Sequence, residues 1–542
     1  MRKICSGKEL FSLDFVINRR FISLDFVKIQ RFISLDKIKT ISLCHDFNDL
    51  FDMYYPRFID SYLSEWASRS SHKPLLLRGA RQVGKSTAVR HLAESFESSV
   101  EINFEKQASY IPLFQVKDID VKRIVAQISA MAGKRIVPGQ TLLFLDEVQA
   151  CPEAVMSLWF FKEDLPELHV VAAGSLLEFA LEDLPSFGVG RIHSMFVFPM
   201  TFDEFLIANG EQLLMEARDS ASATQPLPQL LYEKLVGLVR TYMLVGGMPE
   251  SVTKWVETHD YLACQEVQDD ILVTYEDDFP KYRKKIDPIL LRLTMRSVAV
   301  QATKKFVYSA VGGGYRAAEV NKALDMLAKA GIVIPVTHTD ANGLPLGSEA
   351  DKSYQKMLLL DTGLMLRLLN MTTGDVSELT EQILTSDVTN LVNKGPMAEM
   401  LAGLELLHYR TPNIRHEMYY WQRQAKNSQA EVDYISSYRQ TVLPIEVKAE
   451  IQGGMKSLWL FMREKKLMNA IRCSLENFGA FNYQDKAPIK REKNDACIDS
   501  SEREVARSKA KEADGTLRHV QICPLYTISQ IDRLLKTFNW QE

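Results

Sequence analysis

The chain has 542 residues, too many for one hydrophobic core and in the range of about three or four domains. Hydrophobic residues make up 46% and charged residues 25%, the balance of a globular protein, and a net charge of −4 supplies no overall basic field, so any nucleic-acid contact has to be local. Seven cysteines without a C-x-x-C pair argue against a zinc site or disulfide framework and for a reducing cytoplasmic setting, and no run of about 18 apolar residues is present to cross a membrane.

Residues 1–52 form a repetitive N-terminal extension. Phe-Ile-Ser-Leu-Asp at 21–25 recurs at 32–36, with a degenerate copy at 11–14, a period of about eleven that is too short for a solenoid unit. Charges interrupt its apolar stretches, unlike a secretion signal. The expectation is a disordered or artefactual extension translated from repetitive DNA, with the working protein starting at Met53. The rival is a strand-forming or partner-binding arm.

Residues 53–210 alternate strand and helix patterns, as in the βαβ units of an open parallel sheet. A short apolar strand at 74–78 runs into Gly79, Ala80, Arg81, Gln82, Val83, Gly84, Lys85 and Ser86, a full G-x-x-x-x-G-K-[ST] phosphate loop, and Thr87 continues into a helix. The glycines let main-chain N–H groups turn inward on phosphate oxygens, and the helix N-terminus adds partial positive charge. Lys85 is expected to reach the β- and γ-phosphates of ATP, and Ser86 to hold Mg²⁺. A second apolar strand at 141–145 ends in Asp146 and Glu147. At the ligand edge of a parallel sheet, Asp146 would bind the Mg²⁺ and Glu147 would polarise the attacking water, which favours hydrolysis over binding alone. Ser175 closes a further strand beside that one. It is either a sensor of the γ-phosphate or an N-cap for the helix pattern that follows. Arg191 is expected either as a finger across a subunit boundary, which implies a homo-oligomer, or as an ordinary surface arginine.

Residues 211–286 read as a helical lid, sharply broken at Gly246-Gly247-Met248-Pro249, with Asp269, Asp270, Glu276, Asp277 and Asp278 as a solvated acidic face. Residues 287–375 suggest a winged helix: a helix near 317–330 ended by Gly331, a strand at 332–336, a polar wing at 340–351 and a return strand at 354–360. Arg316, Lys322 and Lys329 give it a modest capacity for DNA, and a structural connector is the alternative.

Residues 376–542 carry a third constellation. Asp433 lies on one strand pattern, and Glu446 and Lys448 lie two residues apart on the next, hence on one face. Two carboxylates and a lysine at a hairpin edge suit a second metal site, with Glu399 contributing from a helix outside the sheet. This is the D…E-x-K core of restriction-endonuclease-like nucleases; the alternative is an exposed hairpin with an ordinary ion pair. Residues 485–515, rich in both signs of charge, read as a flexible insertion.

The order of these motifs resembles a bacterial and archaeal family of AAA+-like P-loop ATPases with a C-terminal domain of unknown function related to the PD-(D/E)XK nucleases. The matching stretches are 77–87, 143–149, 173–177, 190–205, 246–250, 431–434 and 444–448, and Tyr54-Tyr55-Pro56-Arg57 matches a family feature close to the loop. The repetitive arm and the insertion depart from it. The resemblance implies an α/β protein with a P-loop parallel-sheet core, helical lid, winged helix and nuclease-like C-terminal α/β domain, and with ATP binding and hydrolysis. The leading expectation is a Mg²⁺-dependent ATPase whose nucleotide cycle controls the C-terminal domain. The alternatives are an ATP-gated DNA endonuclease and a non-catalytic docking protein for nucleic acid or a partner.

Overall fold

The computed structural model of the chain describes residues 15–17, 20–22, 54–175, 190–282, 285–369, 394–424, 430–449, 454–484 and 515–537. Most of the repetitive extension, nearly all of the charge-rich insertion, residues 370–375 of the expected winged helix and the helix pattern after Ser175 lie outside them. The chain divides into two units, Met1–Tyr54 and Tyr55–Glu542. In the first, β1 (Phe15–Ile17) pairs antiparallel with β2 (Arg20–Ile22), Phe15 opposite Ile22.

The second unit is built on two sheets. The first has five parallel strands, β3 (Leu75–Arg78), β4 (Ser98–Asn103), β5 (Thr141–Asp146), β6 (His169–Ala173) and β7 (His193–Phe196), in the order β4-β5-β6-β3-β7. β5 and β6 are buried along their whole length, as strands covered by helices on both faces must be. Successive side chains enter opposite cores. Leu75, Leu77, Leu142 and Phe144 join Ala88 and Val89 of the helix Lys85–Ala93, while Leu76, Leu143 and Leu145 join Ile124 and Leu158 of the helices Val121–Ala132 and Pro152–Asp164. β3 lies between β6 and β7 while the strand after it, β4, lies at the far edge, which opens a crevice at the C-terminal ends of β3 and β5.

The segment expected as a lid is helical: Gln212–Ser220, Gln229–Val245, Pro249–Thr258 and Tyr261–Asp278. Its break is set by close approach, since a Cβ on Gly247 would fall 2.1 Å from the Met200 carbonyl oxygen. The acidic stretch is not one solvated face. Asp270 and Asp277 are exposed, but Asp269 pairs with Arg367, Glu276 with Arg292, and the buried Asp278 with Arg81 of the phosphate loop at 3.1 Å.

Helices Pro288–Val300 and Ala317–Lys329 precede a hairpin of β8 (Val333–Thr339) and β9 (Ala350–Leu359). This hairpin, expected as a wing, is hydrogen-bonded into the C-terminal sheet, because β8 pairs parallel with β10 (Met418–Gln422). β11 (Glu431–Tyr438), β12 (Thr441–Lys448), β13 (Asn469–Ser474), β14 (Gly479–Gln484) and β15 (Leu517–Pro524) complete an eight-stranded order, β14-β15-β13-β12-β11-β10-β8-β9. The helix Lys394–His408 ties the two sheets together: Glu405 on it accepts a 2.9 Å hydrogen bond from the Phe202 N–H. At the edge strand β7, the Phe196 N–H donates to the Pro412 carbonyl at 2.9 Å.

Candidate nucleotide site and a second acid centre

The phosphate loop forms because β3 delivers the chain into a turn that only glycine can begin. Gly79 has φ 147°, and a Cβ there would lie 2.2 Å from the Val197 carbonyl oxygen; Gly84 is left-handed at φ 91° and opens the helix. Ala80 and Val83 anchor the loop in the core, while Gln82 and Thr87 are exposed. Arg57 braces it from behind, donating to the Val83 carbonyl at 3.2 Å and the Phe198 carbonyl at 2.9 Å. Lys85 is buried, with its ammonium on the Gly79 and Ala80 carbonyls at 3.0 and 2.6 Å. Burial lowers its pKa to about 8, against the opposing pull of Glu147 and Asp146.

Facing the loop, Asp146 stands at the end of β5. Its carboxylate accepts from Ser86 Oγ and from Asn103 Nδ2, each at 3.0 Å, and burial raises its pKa. Glu147 is left-handed at φ 52°, and its carboxylate accepts from Gln149 Nε2 at 2.5 Å. Ser175 is buried beside β5, and its hydroxyl has no hydrogen-bond partner among the described residues. Ser86 and Asp146 thus form the hydroxyl–carboxylate pair suited to Mg²⁺, and Lys85 and the loop amides form the donor set suited to phosphate. Arg191 lies outside this cluster, on the surface. It pairs with Glu163 at 2.9 Å and stacks over Trp159 at 4.6 Å.

Two later segments grip the loop. Tyr275 donates its hydroxyl to the Arg81 carbonyl at 2.8 Å, and a Cβ on Gly331 would stand 3.1 Å from the Ala80 nitrogen. The basic residues expected to offer DNA contacts are partly engaged: Lys329 pairs with Asp325 at 2.6 Å, and Lys322 and Lys329 line a cleft of about 790 Å³ that also reaches Gly79 and Arg415.

The C-terminal constellation also assembles. The Val447 N–H donates to Asp433 at 2.7 Å, and Lys448 Nζ lies 2.5 Å from Glu446 Oε1. Glu399 approaches Asp433 from the helix Lys394–His408, so all four expected residues meet at one partly buried centre. Two further members were not anticipated. Glu431 sits two residues before Asp433 on the same face of β11, a spacing that could have disclosed it. Lys356 reaches in from β9, and nothing in its local sequence signals this, because the contact depends on the hairpin joining this sheet. Its ammonium is 2.7 Å from Glu399 Oε1, is bonded to Glu431, and is 4.0 Å from Asp433. A resident divalent ion does not fit this arrangement as it stands, since an ammonium fills the space among the carboxylates.

Residues 71–206 match the AAA domain family. The phosphate loop, Asp146, Glu147, Ser175 and Arg191 all fall within this match, so the chain carries an AAA-type domain over those residues. Residues 236–375 match a domain of unknown function (DUF8612), and residues 394–490 match another (DUF4143). The DUF8612 match runs from within the lid helix Gln229–Val245 through the β8–β9 hairpin.

Among solved structures the chain is similar to a Walker-type ATPase of Pyrococcus abyssi, at 17% identity over 58% of this chain and 96% of that one, with a TM-score of 0.37. It is also similar to the Orc1 protein of Aeropyrum pernix in complex with DNA (13% identity, 61% and 97% coverage, TM-score 0.25). Cdc6p of Pyrobaculum aerophilum gives 13% identity, 61% and 98% coverage, and a TM-score of 0.23. Superpositions this loose carry no inference about ligands or domain arrangement. No curated protein sequence matches the chain. Among the described residues no helix is long and apolar enough to cross a membrane.

Proposed function

We propose that the protein is a Mg²⁺-dependent ATPase whose nucleotide state is passed to its C-terminal α/β region. The observation that carries this is the set of Lys85, Ser86, Asp146 and Glu147 gathered at the C-terminal ends of β3 and β5. Bound Mg²⁺ would supply charge neutralisation to the phosphates, with Ser86 and Asp146 to hold it. Lys85, Gly84 and the loop amides bind and orient the triphosphate. Glu147 takes up the proton of the attacking water, with its carboxylate held by the hydrogen bond from Gln149 Nε2. Ser175 serves as the sensor, supported by a buried hydroxyl left without a partner. Arg191 as a finger on a neighbouring subunit's nucleotide would have to release Glu163 and Trp159.

Transmission is supported by the two segments resting on the loop: Arg81 with Asp278 and Tyr275 on one side, and Ala80 under Gly331, two residues before β8, on the other. Turnover is the test. Lys85→Ala should abolish ATP binding or hydrolysis, and Glu147→Gln should bind ATP while hydrolysing it slowly. Full-rate turnover in both variants would end the proposal.

An ATP-gated endonuclease built on Glu399, Asp433, Glu446 and Lys448 is the second reading, and it requires Lys356 to leave the carboxylates before a metal enters. It predicts Mg²⁺-dependent plasmid cleavage lost in Asp433→Ala and Lys448→Ala. A docking role for the same region predicts DNA binding that survives both substitutions.

A further inference from the structure

Glu399, Glu431 and Asp433 bring three carboxylate oxygens within 4.8 Å of one another, a grouping that a divalent ion with oxygen ligands at about 2.1–2.6 Å could draw together. Lys356 already stands among them. Its Nζ lies 2.7 Å from Glu399, bonds Glu431, and sits 4.0 Å from Asp433 and 5.0 Å from the centre of the Tyr420 ring. These are the distances of an ammonium satisfied by carboxylates and an aromatic face. The Lys356 side chain is 0% exposed, so its ammonium has these groups and not water as its partners. A divalent cation held by the same oxygens would lie within a few ångströms of a second positive charge, at carboxylates that are only 14–27% exposed and so screen that repulsion less than open water does. Lys448 offers no relief, because its ammonium is taken by Glu446.

We infer that Lys356 is a built-in cation that replaces a divalent ion in the C-terminal acid centre and closes that centre to metal-dependent strand cleavage. The fold thereby keeps the acids of a nuclease-like site as a structural ion cluster. The inference does not depend on turnover at Lys85, which serves instead as the check on folding.

The test is thermal unfolding of the full chain without nucleotide, with and without Mn²⁺. Wild type and Asp433→Asn should respond to Mn²⁺ alike. Lys356→Met should gain a Mn²⁺-dependent rise in Tm of at least about 3 °C, absent from the Lys356→Met/Asp433→Asn double variant, while retaining ATP hydrolysis. A Mn²⁺ response of the wild type that Asp433→Asn removes would overturn the inference. So would a folded, ATP-hydrolysing Lys356→Met chain that ignores Mn²⁺. Should Lys356→Met fail to fold, wild-type plasmid cleavage with Mn²⁺ decides: none supports the inference, and cutting abolished by Asp433→Asn contradicts it.

Discussion

The nucleotide site and the C-terminal acid centre are made of the same parts, a buried lysine and carboxylates at strand ends, and use them in opposite ways. Lys85 rests on main-chain carbonyls, so Asp146 and Glu147 have no lysine between them and remain available to a metal and a water. Lys356 rests on the carboxylates themselves, so a cation already stands between Glu399 and Glu431 without a ligand. The difference lies in backbone, not in residue type. The turn that begins at Gly79 brings the Gly79 and Ala80 carbonyls to Lys85, whereas Lys356 leaves a strand and meets acids and the Tyr420 ring.

The largest expected effect strikes the first site alone. Glu147→Gln should slow turnover by about 10²–10⁴-fold with nucleotide affinity retained, measured by steady-state hydrolysis and by equilibrium binding. An equal loss from Asp433→Asn would erase the contrast between the two centres. Next comes Lys356→Met, which strands buried carboxylates without their cation and should lower stability by about 3–5 kcal/mol in denaturant titration. A cost below about 1 kcal/mol would mean that the ammonium is not the counterion it is taken to be.

Glu405 shows burial with no such cation. Burial pushes its pKa to about 8, despite the hydrogen bond from the Phe202 N–H. The folded chain therefore keeps a proton that the unfolded chain gives up near its ordinary value of 4.5. Glu405's contribution is complete below that value and is lost as the pH climbs through about 8. Glu405→Gln should flatten this part of the stability profile, read as the difference between variant and wild type at pH 5 and pH 8. A difference that does not change with pH would refute the assignment. The smallest effect belongs to Arg81→Ala. It breaks the pair with Asp278 that ties loop to lid, but the Arg81 side chain is 26% exposed, and the loss should not exceed about 1 kcal/mol by thermal unfolding.

The nucleotide site was legible in the sequence because its residues are contiguous and their geometry is local. Glycine positions, the helix start at Lys85 and the apolar strand ending at Asp146 each leave a mark within a few residues. Asn103 was less visible, although a polar residue ending β4 in register with Asp146 is a clue of the same kind. In the second centre Asp433, Glu446 and Lys448 could be paired from strand alternation, yet Lys356 could not. Its role rests on β8 pairing with β10, a contact between strands roughly eighty residues apart that no local pattern records. The acidic lid misled for a related reason: whether an acid is solvated depends on where Arg81, Arg292 and Arg367 lie after folding.

The most direct measurement is Mn²⁺ binding by the full chain, followed by electron paramagnetic resonance with and without a non-hydrolysable ATP analogue. A single Mn²⁺ should bind only when the analogue is present, disappear in Asp146→Asn and persist in Asp433→Asn. Mn²⁺ bound without nucleotide and released by Asp433→Asn, or no Mn²⁺ bound with the analogue present, would contradict the division of labour between the two lysine–carboxylate centres.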